Sequence, residues 1–246
     1  QISPLLQARW PGMAKTVSRS MQHIAAEHQM LNEYLDLELA ACCAGECLSL
    51  SALLQYPAVK QDMIIRRWLA AMNLSPSSLW LGTLRNEVIA AKADATPLLQ
   101  LEHFHIRRFD GKLYLCEIFT VPEINEKRIW QGEGQLALPA DSGQLIFSKQ
   151  QQDGSLPLAL AEPAVAEVHF GKLSLPFKPV NSGMHKPLKQ WFKQWKIPPW
   201  QRGAIPLLLI CGELRLVAGY ASTVAPAEAD IWVKWLKKAS ASKTSA

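Results

Sequence analysis

The spacing of apolar residues changes once along the chain, near Thr96, and that change fixes the class of fold. Over 12–41 apolar side chains fall at Met13, Val17, Met21, Ile24, Leu31, Leu35 and Leu39. This is close to the helical period, with Lys15, Glu27 and Glu33 on other faces. Pro11 stands just ahead of the run. Ser49 or Ser51 offers a cap for a short helix at 52–55, and Pro57 opens a longer one carrying Met63, Ile64, Trp68, Leu69 and Met72. Ser75-Pro76-Ser77 then restarts a helix with Leu79, Leu84, Val88 and Ile89. Four helices in about 90 residues make a small helical domain, expected over 1–95.

After Thr96 the pattern alternates and turn residues recur, which signals β structure. Asp110-Gly111 between 101–109 and 112–119 suits a two-residue type I′ turn, the strongest hairpin signal in the chain. A second hairpin is expected through Leu136 and Leu138, turning at Asp141-Ser142-Gly143 and returning along 145–147. The stretch 150–163, rich in Gln, Ser, Gly and Pro, reads as a connector. Beyond it, 168–172 and 173–178 read as short strands and 187–195 as a helix. Ile197-Pro198-Pro199-Trp200 ends that helix, because proline cannot donate the next backbone bond. A hairpin over 207–211 and 214–218, a short amphipathic helix over 231–238 and a frayed 239–246 complete the reading. The expected architecture is α+β: a helical domain (1–95), a β-rich connecting segment (96–166) and a small basic α+β domain (167–246).

With 49% apolar and 19% charged residues the chain has the means for a proper core. Its longest apolar run, 205–211, contains a proline and is far short of the roughly 20 residues of a membrane span, so a soluble chain without a membrane partner is expected. No signal peptide is visible, and the missing initiator Met suggests a fragment. The cysteines Cys42, Cys43, Cys47, Cys116 and Cys211 form no C-x-x-C pair. They read as reduced, mostly buried thiols of a cytoplasmic protein.

The net charge of +5 conceals a strong asymmetry. Residues 1–95 carry 8 basic and 8 acidic side chains, 96–167 carry 6 and 10, and 168–246 carry 12 and 3. From 168 to 212 there is no Asp or Glu, while Lys172, Lys178, Lys186, Lys189, Lys193, Lys196 and Arg202 all lie there. A solvated surface kept for solubility normally mixes both signs, so this stretch points to an anionic partner, nucleic acid ahead of a membrane surface. On a helix from Lys186 to Lys196, Lys186, Lys189, Lys193 and Lys196 fall within an arc of about 80° and Leu188, Trp191, Phe192 and Trp195 within about 100°. The expectation is a helix anchored by its aromatic face that presents a row of ammonium groups to a phosphate backbone.

Other candidates carry less. His103 and His105 would share a strand face but lack a third ligand, so no metal is expected. A hydrolase or metal enzyme using them with Glu102 or Glu117 is the remaining enzymatic alternative. His185, beside Lys186, is placed to touch a phosphate or to sit in a turn. Arg66-Arg67 and Arg107-Arg108 are basic doublets of the kind RNA or solvent accepts. There is no G-x-x-x-x-G-K-[ST], G-x-S-x-G or H-E-x-x-H motif, and Gly132-Glu133-Gly134 supplies only a G-x-G. No catalytic residue is expected in this chain.

Lys186-Pro187-Leu188-Lys189, Lys196-Ile197-Pro198-Pro199-Trp200-Gln201-Arg202, Pro206-Leu207-Leu208 and the strand over 212–220 resemble the C-terminal domain of the bacterial tRNA(Ile)-lysidine synthases. Arg9-Trp10-Pro11-Gly12, Arg19-Ser20 and Arg66-Arg67-Trp68-Leu69 are similar to the segment after that family's catalytic domain and to its helical domain. The resemblance implies an RNA-modifying ligase whose members adenylate carbon 2 of the wobble cytidine in CAU-anticodon tRNA(Ile). The lysine ε-amino group then displaces AMP to form lysidine. It implies ATP and magnesium on an N-terminal domain with an S-G-G-x-D-S loop. Ser142-Gly143 and Ser182-Gly183 do not continue into that loop, so the chain is expected to be the tRNA-recognition part, inactive alone, meeting ATP and L-lysine only through the missing domain. A homodimer is left open, as is a free-standing RNA-binding module. Lys186, Lys189 and Arg202 match basic positions of the family motif and are expected on tRNA phosphates. Lys193 and Lys196 rest on the helical wheel, and Lys172, Lys178 and His185 on the basic stretch. Gly203 stands where the family often carries a larger polar residue. Trp191, Trp195 and Trp200 are expected to pack rather than to stack on bases.

Overall fold

The computed structural model describes residues 9–92, 95–118, 120–124, 126–140, 142–161 and 165–237. They belong to two compact units, Gln1–Ile118 and Phe119–Ala246, where the sequence led us to expect three segments.

The first unit begins with α1 (Met13–Cys42), which buries only Leu35 and Cys42. A short ribbon of β1 (Cys43–Ala44) and β2 (Cys47–Ser49) follows. Next come α2 (Leu50–Leu53), capped by the Ser49 hydroxyl, and α3 (Ala58–Ala70), which Pro57 opens. The Ser77 hydroxyl caps α4 (Ser78–Thr83), which runs on as a π-helical turn, Leu84–Ile89. Three more strands, β3 (Leu98–Leu101), β4 (Phe104–Phe109) and β5 (Lys112–Glu117), join the ribbon in one antiparallel sheet of order β1-β2-β5-β4-β3. Asp110 and Gly111 have φ of 48° and 72°, the left-handed pair that the expected turn needs. The expected strand over 101–109 is broken, however: Glu102 takes φ 52° and turns the chain back between β3 and β4. His103 therefore lies in that turn, and the pair His103 and His105 does not share a strand face. Ile106 and Leu113 are fully buried in the same core as Leu53, Ile64, Leu69, Leu84 and Val88. That shared core makes the hairpin a wall of the helical unit rather than the start of a connector.

The second unit contains two antiparallel sheets, a two-stranded ribbon and two short helices. One sheet has the order β15 (Ala221–Ser222), β14 (Glu213–Val217), β13 (Leu207–Ile210), β10 (Ala166–His169), β6 (Lys127–Trp130). The other has β7 (Gln135–Ala137), β8 (Gln144–Ser148), β16 (Ile231–Leu236), β9 (Leu156–Leu158). The burial of β13 on both faces explains its unbroken Leu-Leu-Leu-Ile run. Leu208 and Ile210 point into a core shared with Phe147, Leu158 and Val233 of the other sheet. Leu207 and Leu209 point oppositely, into a core with Leu188, Trp191 and Phe192 of α5 (Leu188–Gln194).

Two expectations fail here. The segment over 231–238 is not a helix: Ile231–Leu236 is a strand, paired on one side with β8 and on the other with β9. Its Ile, Val and Trp side chains suit that half-buried position. Residues 150–163 are not a plain connector either, since Leu156–Leu158 forms β9; Pro157 is tolerated because β9 is the edge of its sheet. The second expected hairpin is β7 and β8; of its turn, Asp141 lies outside the described residues, as do Pro163 and the 239–246 tail. Cys42 is fully buried and Cys43 and Cys47 partly so, and burial pushes all three thiols up, whereas Cys211 is exposed.

Candidate nucleic-acid interface

The acid-free stretch builds one wall of the second unit. A ribbon of β11 (Pro176–Phe177) and β12 (Lys186–Pro187) leads into α5, whose first backbone bonds run Leu188 N to Leu175 O and Lys189 N to Leu173 O, each 2.9 Å. The helix has seven residues and ends by a left-handed residue, Lys196 (φ 53°), behind which Ile197 N returns to Phe192 O at 2.9 Å. Pro199 then starts α6 (Pro199–Arg202).

The expected four-lysine arc is thereby shortened. Lys189 and Lys193, four apart within α5, are exposed on one face. Lys186 belongs to the ribbon and Lys196 to the turn beyond the helix, so neither follows the helical advance. Lys186 Nζ instead sits 4.9 Å from the centre of the Trp191 ring. Arg202 donates its Nε to Ile197 O at 2.9 Å across the Pro198-Pro199 corner, and burial lowers its pKa. That bond stitches the corner together. The Gly203 site is filled from elsewhere in the unit: a Cβ there would lie 3.0 Å from Val121 Cγ1. Lys172 precedes the ribbon and is half-buried. Among the described residues, Lys172, Lys178, Lys186, Lys189 and Lys193 form no ion pair.

The tryptophans behind these lysines are packing groups. Trp191 is 4% exposed and donates its Nε1 to Phe177 O at 2.8 Å. Trp195 stacks on Trp191 and on Tyr220, both with ring centres 5.8 Å apart. At the far end Lys237 Nζ lies 4.7 Å from the Trp235 ring and 6.0 Å from the Tyr220 ring, and desolvation lowers its pKa. A ladder of rings, flanked by Lys186 and Lys237, thus ties the helix to the sheet.

Lys178 and His185, seven residues apart in sequence, meet at a cleft of about 450 Å³. Its lining also includes Leu175, Pro176, Pro179, Val180, Arg215 and Thr223. Arg215 is held 2.7 Å from Glu213, and Thr223 Oγ1 is buried without a hydrogen-bond partner among the described residues. Arg215 and Thr223 were not singled out from sequence. Arg215 carried a signal, as the outward residue in the alternation of β14; Thr223 carried none.

The basic doublets of the first unit are consumed internally. Arg66 donates to Pro76 O and to Ser78 Oγ, and Arg67 makes two bonds of 2.6 and 2.7 Å to Asp36. Arg108 donates to Ile89 O at 2.8 Å and to Lys92 O, closing the end of the π-helical turn. His105 lies 3.5 Å from Arg107, and burial, reinforced by that charge, lowers its pKa. No three His, Cys, Asp or Glu side chains gather at metal-binding distance among the described residues. No helix of the described residues is long and apolar enough to cross a membrane.

Comparison with known proteins places both units. Residues 48–114 match the TilS substrate binding domain and residues 166–235 the TilS substrate C-terminal domain. The tRNA(Ile)-lysidine synthase of Coxiella burnetii is 29% identical over 221 residues, 89% of this chain and 49% of the relative. That of Proteus mirabilis is 32% identical over 210 residues, 84% and 47%, and that of Vibrio parahaemolyticus 32% over 224 residues, 89% and 50%. The chain therefore spans about half the length of the curated relatives it matches. A solved structure described as the crystal structure of the TilS C-terminal domain covers 47% of this chain and 100% of its own, at 16% identity and a TM-score of 0.36, too distant to argue from. With a substrate binding domain and a C-terminal domain of TilS in sequence order, the chain belongs to the TilS family.

Proposed function

We propose that this chain is the tRNA-recognition part of a tRNA(Ile)-lysidine synthase, the ligase that joins lysine to the wobble cytidine of CAU-anticodon tRNA(Ile). In the whole enzyme the oxygen on carbon 2 of that cytidine takes the adenylyl group of ATP with release of pyrophosphate, and the lysine ε-amino group then attacks carbon 2 and displaces AMP. In the family resembled, ATP and magnesium belong to a domain with an S-G-G-x-D-S run, and this sequence has no such run. We place both cofactors and the L-lysine site outside it. What this chain contributes is binding and positioning. Contacts far from the reacting base hold a large substrate in register, and loss of register costs rate.

The observation that carries this reading is that Lys172, Lys178, Lys186, Lys189 and Lys193 of the second unit meet no carboxylate among the described residues. Lys189 and Lys193 on α5, Lys178 and His185 at the cleft, Lys172 and Lys186 at the ribbon, and Lys196 and Arg202 at the following turn are the proposed phosphate contacts. Each ammonium that meets a phosphate releases a counterion, so affinity should fall steeply with salt.

The test is tRNA affinity as a function of salt for the chain and for Lys189→Glu with Lys193→Glu. With two ammonium groups fewer on the phosphates, the slope of log K against log salt should become shallower by about 2, and affinity at about 0.1 M salt should drop about tenfold or more. An unchanged affinity at low salt would remove α5 from the interface. The free-standing RNA-binding module is separated by chemistry: joined to the remaining part of a family enzyme, this chain should support lysidine formation.

A further inference from the structure

The cleft between the β11–β12 ribbon and β14 has more in it than a phosphate clamp requires. A phosphate backbone needs only cations on an open surface, as on α5. Here Lys178, His185 and Arg215, with the Glu213 carboxylate that pairs with Arg215, stand in one cavity beside Leu175, Pro179 and Val180. Its volume of about 450 Å³ is far more than an ion fills and lies within the range of sites for small organic molecules. Thr223 adds a buried hydroxyl with no partner, a state rare in native proteins.

We propose that this cleft takes one unpaired nucleotide of the bound RNA. The proposal rests on the tRNA-binding reading above and adds to it what part of the RNA this site recognises. The apolar lining suits the face of a base, and the cations suit its phosphate. A hydroxyl of the ribose reaching Thr223 Oγ1, after rotation about χ1, would satisfy a buried side-chain hydroxyl that has no partner among the described residues. A base within a duplex cannot enter, since it is stacked and paired and offers only its edge; a base at a single-stranded end or loop can be splayed into a cavity. Lys178 has no ion pair among the described residues and Arg215 is already shared with Glu213, so the cavity keeps a net positive charge without being a dense cationic patch. That balance favours a nucleotide over a bare run of phosphates.

The experiment compares the affinity of the full chain for a blunt RNA duplex with that for the same duplex bearing a two-nucleotide unpaired overhang. The overhang should strengthen binding about tenfold, the scale of one base settled on a protein surface. Val180→Trp, which fills the cavity, and separately Lys178→Ala, which removes an exposed rim cation, should each bring the ratio of the two affinities towards one, with the melting temperature as the check on folding. Equal affinity of the unaltered chain for the two RNAs, or a preference that survives both substitutions, overturns the proposal while leaving RNA binding in place. Failure to bind either RNA overturns the tRNA-binding reading and this proposal with it.

Discussion

In residues 1–118 cations meet acids from other elements: Lys60 of α3 lies 2.9 Å from Glu38 of α1, Arg67 lies 2.6 Å from Asp36, and Arg85 lies 2.8 Å from Asp62. In residues 119–246 the lysines from 172 to 193 meet none among the described residues, and two structural cations rest on rings instead, Lys186 on Trp191 and Lys237 on Trp235. Both units hold an apolar core, so the contrast is not one of foldedness. The contrast lies in which cations are paired rather than in how many: Lys127, Arg128 and Arg215 of the second unit also meet acids, and Lys60 of the first also lies over the Tyr34 and Tyr56 rings, but the lysines of the acid-free stretch up to Lys193 stand apart from any carboxylate among the described residues.

The largest expected effect tests the aromatic brace. Trp191→Ala removes a buried ring from between Lys186 and Trp195 and should destabilise the second unit by about 3–5 kcal/mol, read by denaturant unfolding of the chain. A cost below about 1 kcal/mol would mean that the ladder does not hold α5 in place. Next comes the charge contrast. Arg67→Glu should leave tRNA affinity within about twofold, while Lys189→Glu with Lys193→Glu costs about tenfold or more at the same salt. Equal losses would erase the distinction between the units.

Acid should act on the first unit through Glu38. Hydrogen bonds from Lys60, Tyr34 and Tyr56 hold the Glu38 carboxyl at about 2, below its ordinary 4.5. A depressed carboxylate pKa means stability that is complete above 4.5 and is lost as pH falls from there to about 2. The melting temperature of the first unit should decline in that window, and Glu38→Gln should flatten the decline. The smallest effect is expected from Asp36→Asn, where an exposed pair is lost and the denaturant midpoint of the chain should barely move. Finally, the chain alone, given ATP, lysine and tRNA, should yield no lysidine by mass spectrometry of the nucleosides; product would place the chemistry inside it.

What the sequence made legible was local chemistry with few alternatives. Asp110-Gly111 could serve little but a left-handed turn, Ser49 and Ser77 announced helix starts through hydroxyls that cap them, and Pro57 through its fixed φ. The segment 231–236 was not legible, because Ile-Trp-Val-Lys-Trp-Leu satisfies both an alternating and a helical pattern; only pairing with β8 and β9 decides it. The lysine row was half legible. Residue types set the face shared by Lys189 and Lys193, but where the helix stops depends on the backbone turning left-handed at Lys196, which nothing in the side chain requires. The cleft was least legible, since Lys178, His185, Arg215 and Thr223 come from segments brought together only by strand pairing. Even the basic doublets misled, for the carbonyls that occupy Arg66 and Arg108 have no mark in the sequence.

The strand Ile231–Leu236 lies inside its sheet, between β8 and β9, though it comes last among the described elements. On a ribosome, the earlier strands of this sheet must wait with exposed edges until those six residues clear the exit tunnel. A nonsense mutation before Ile231 would thus cost far more than its length suggests, leaving β9 without its sheet partner and one edge of β8 open to other nascent chains.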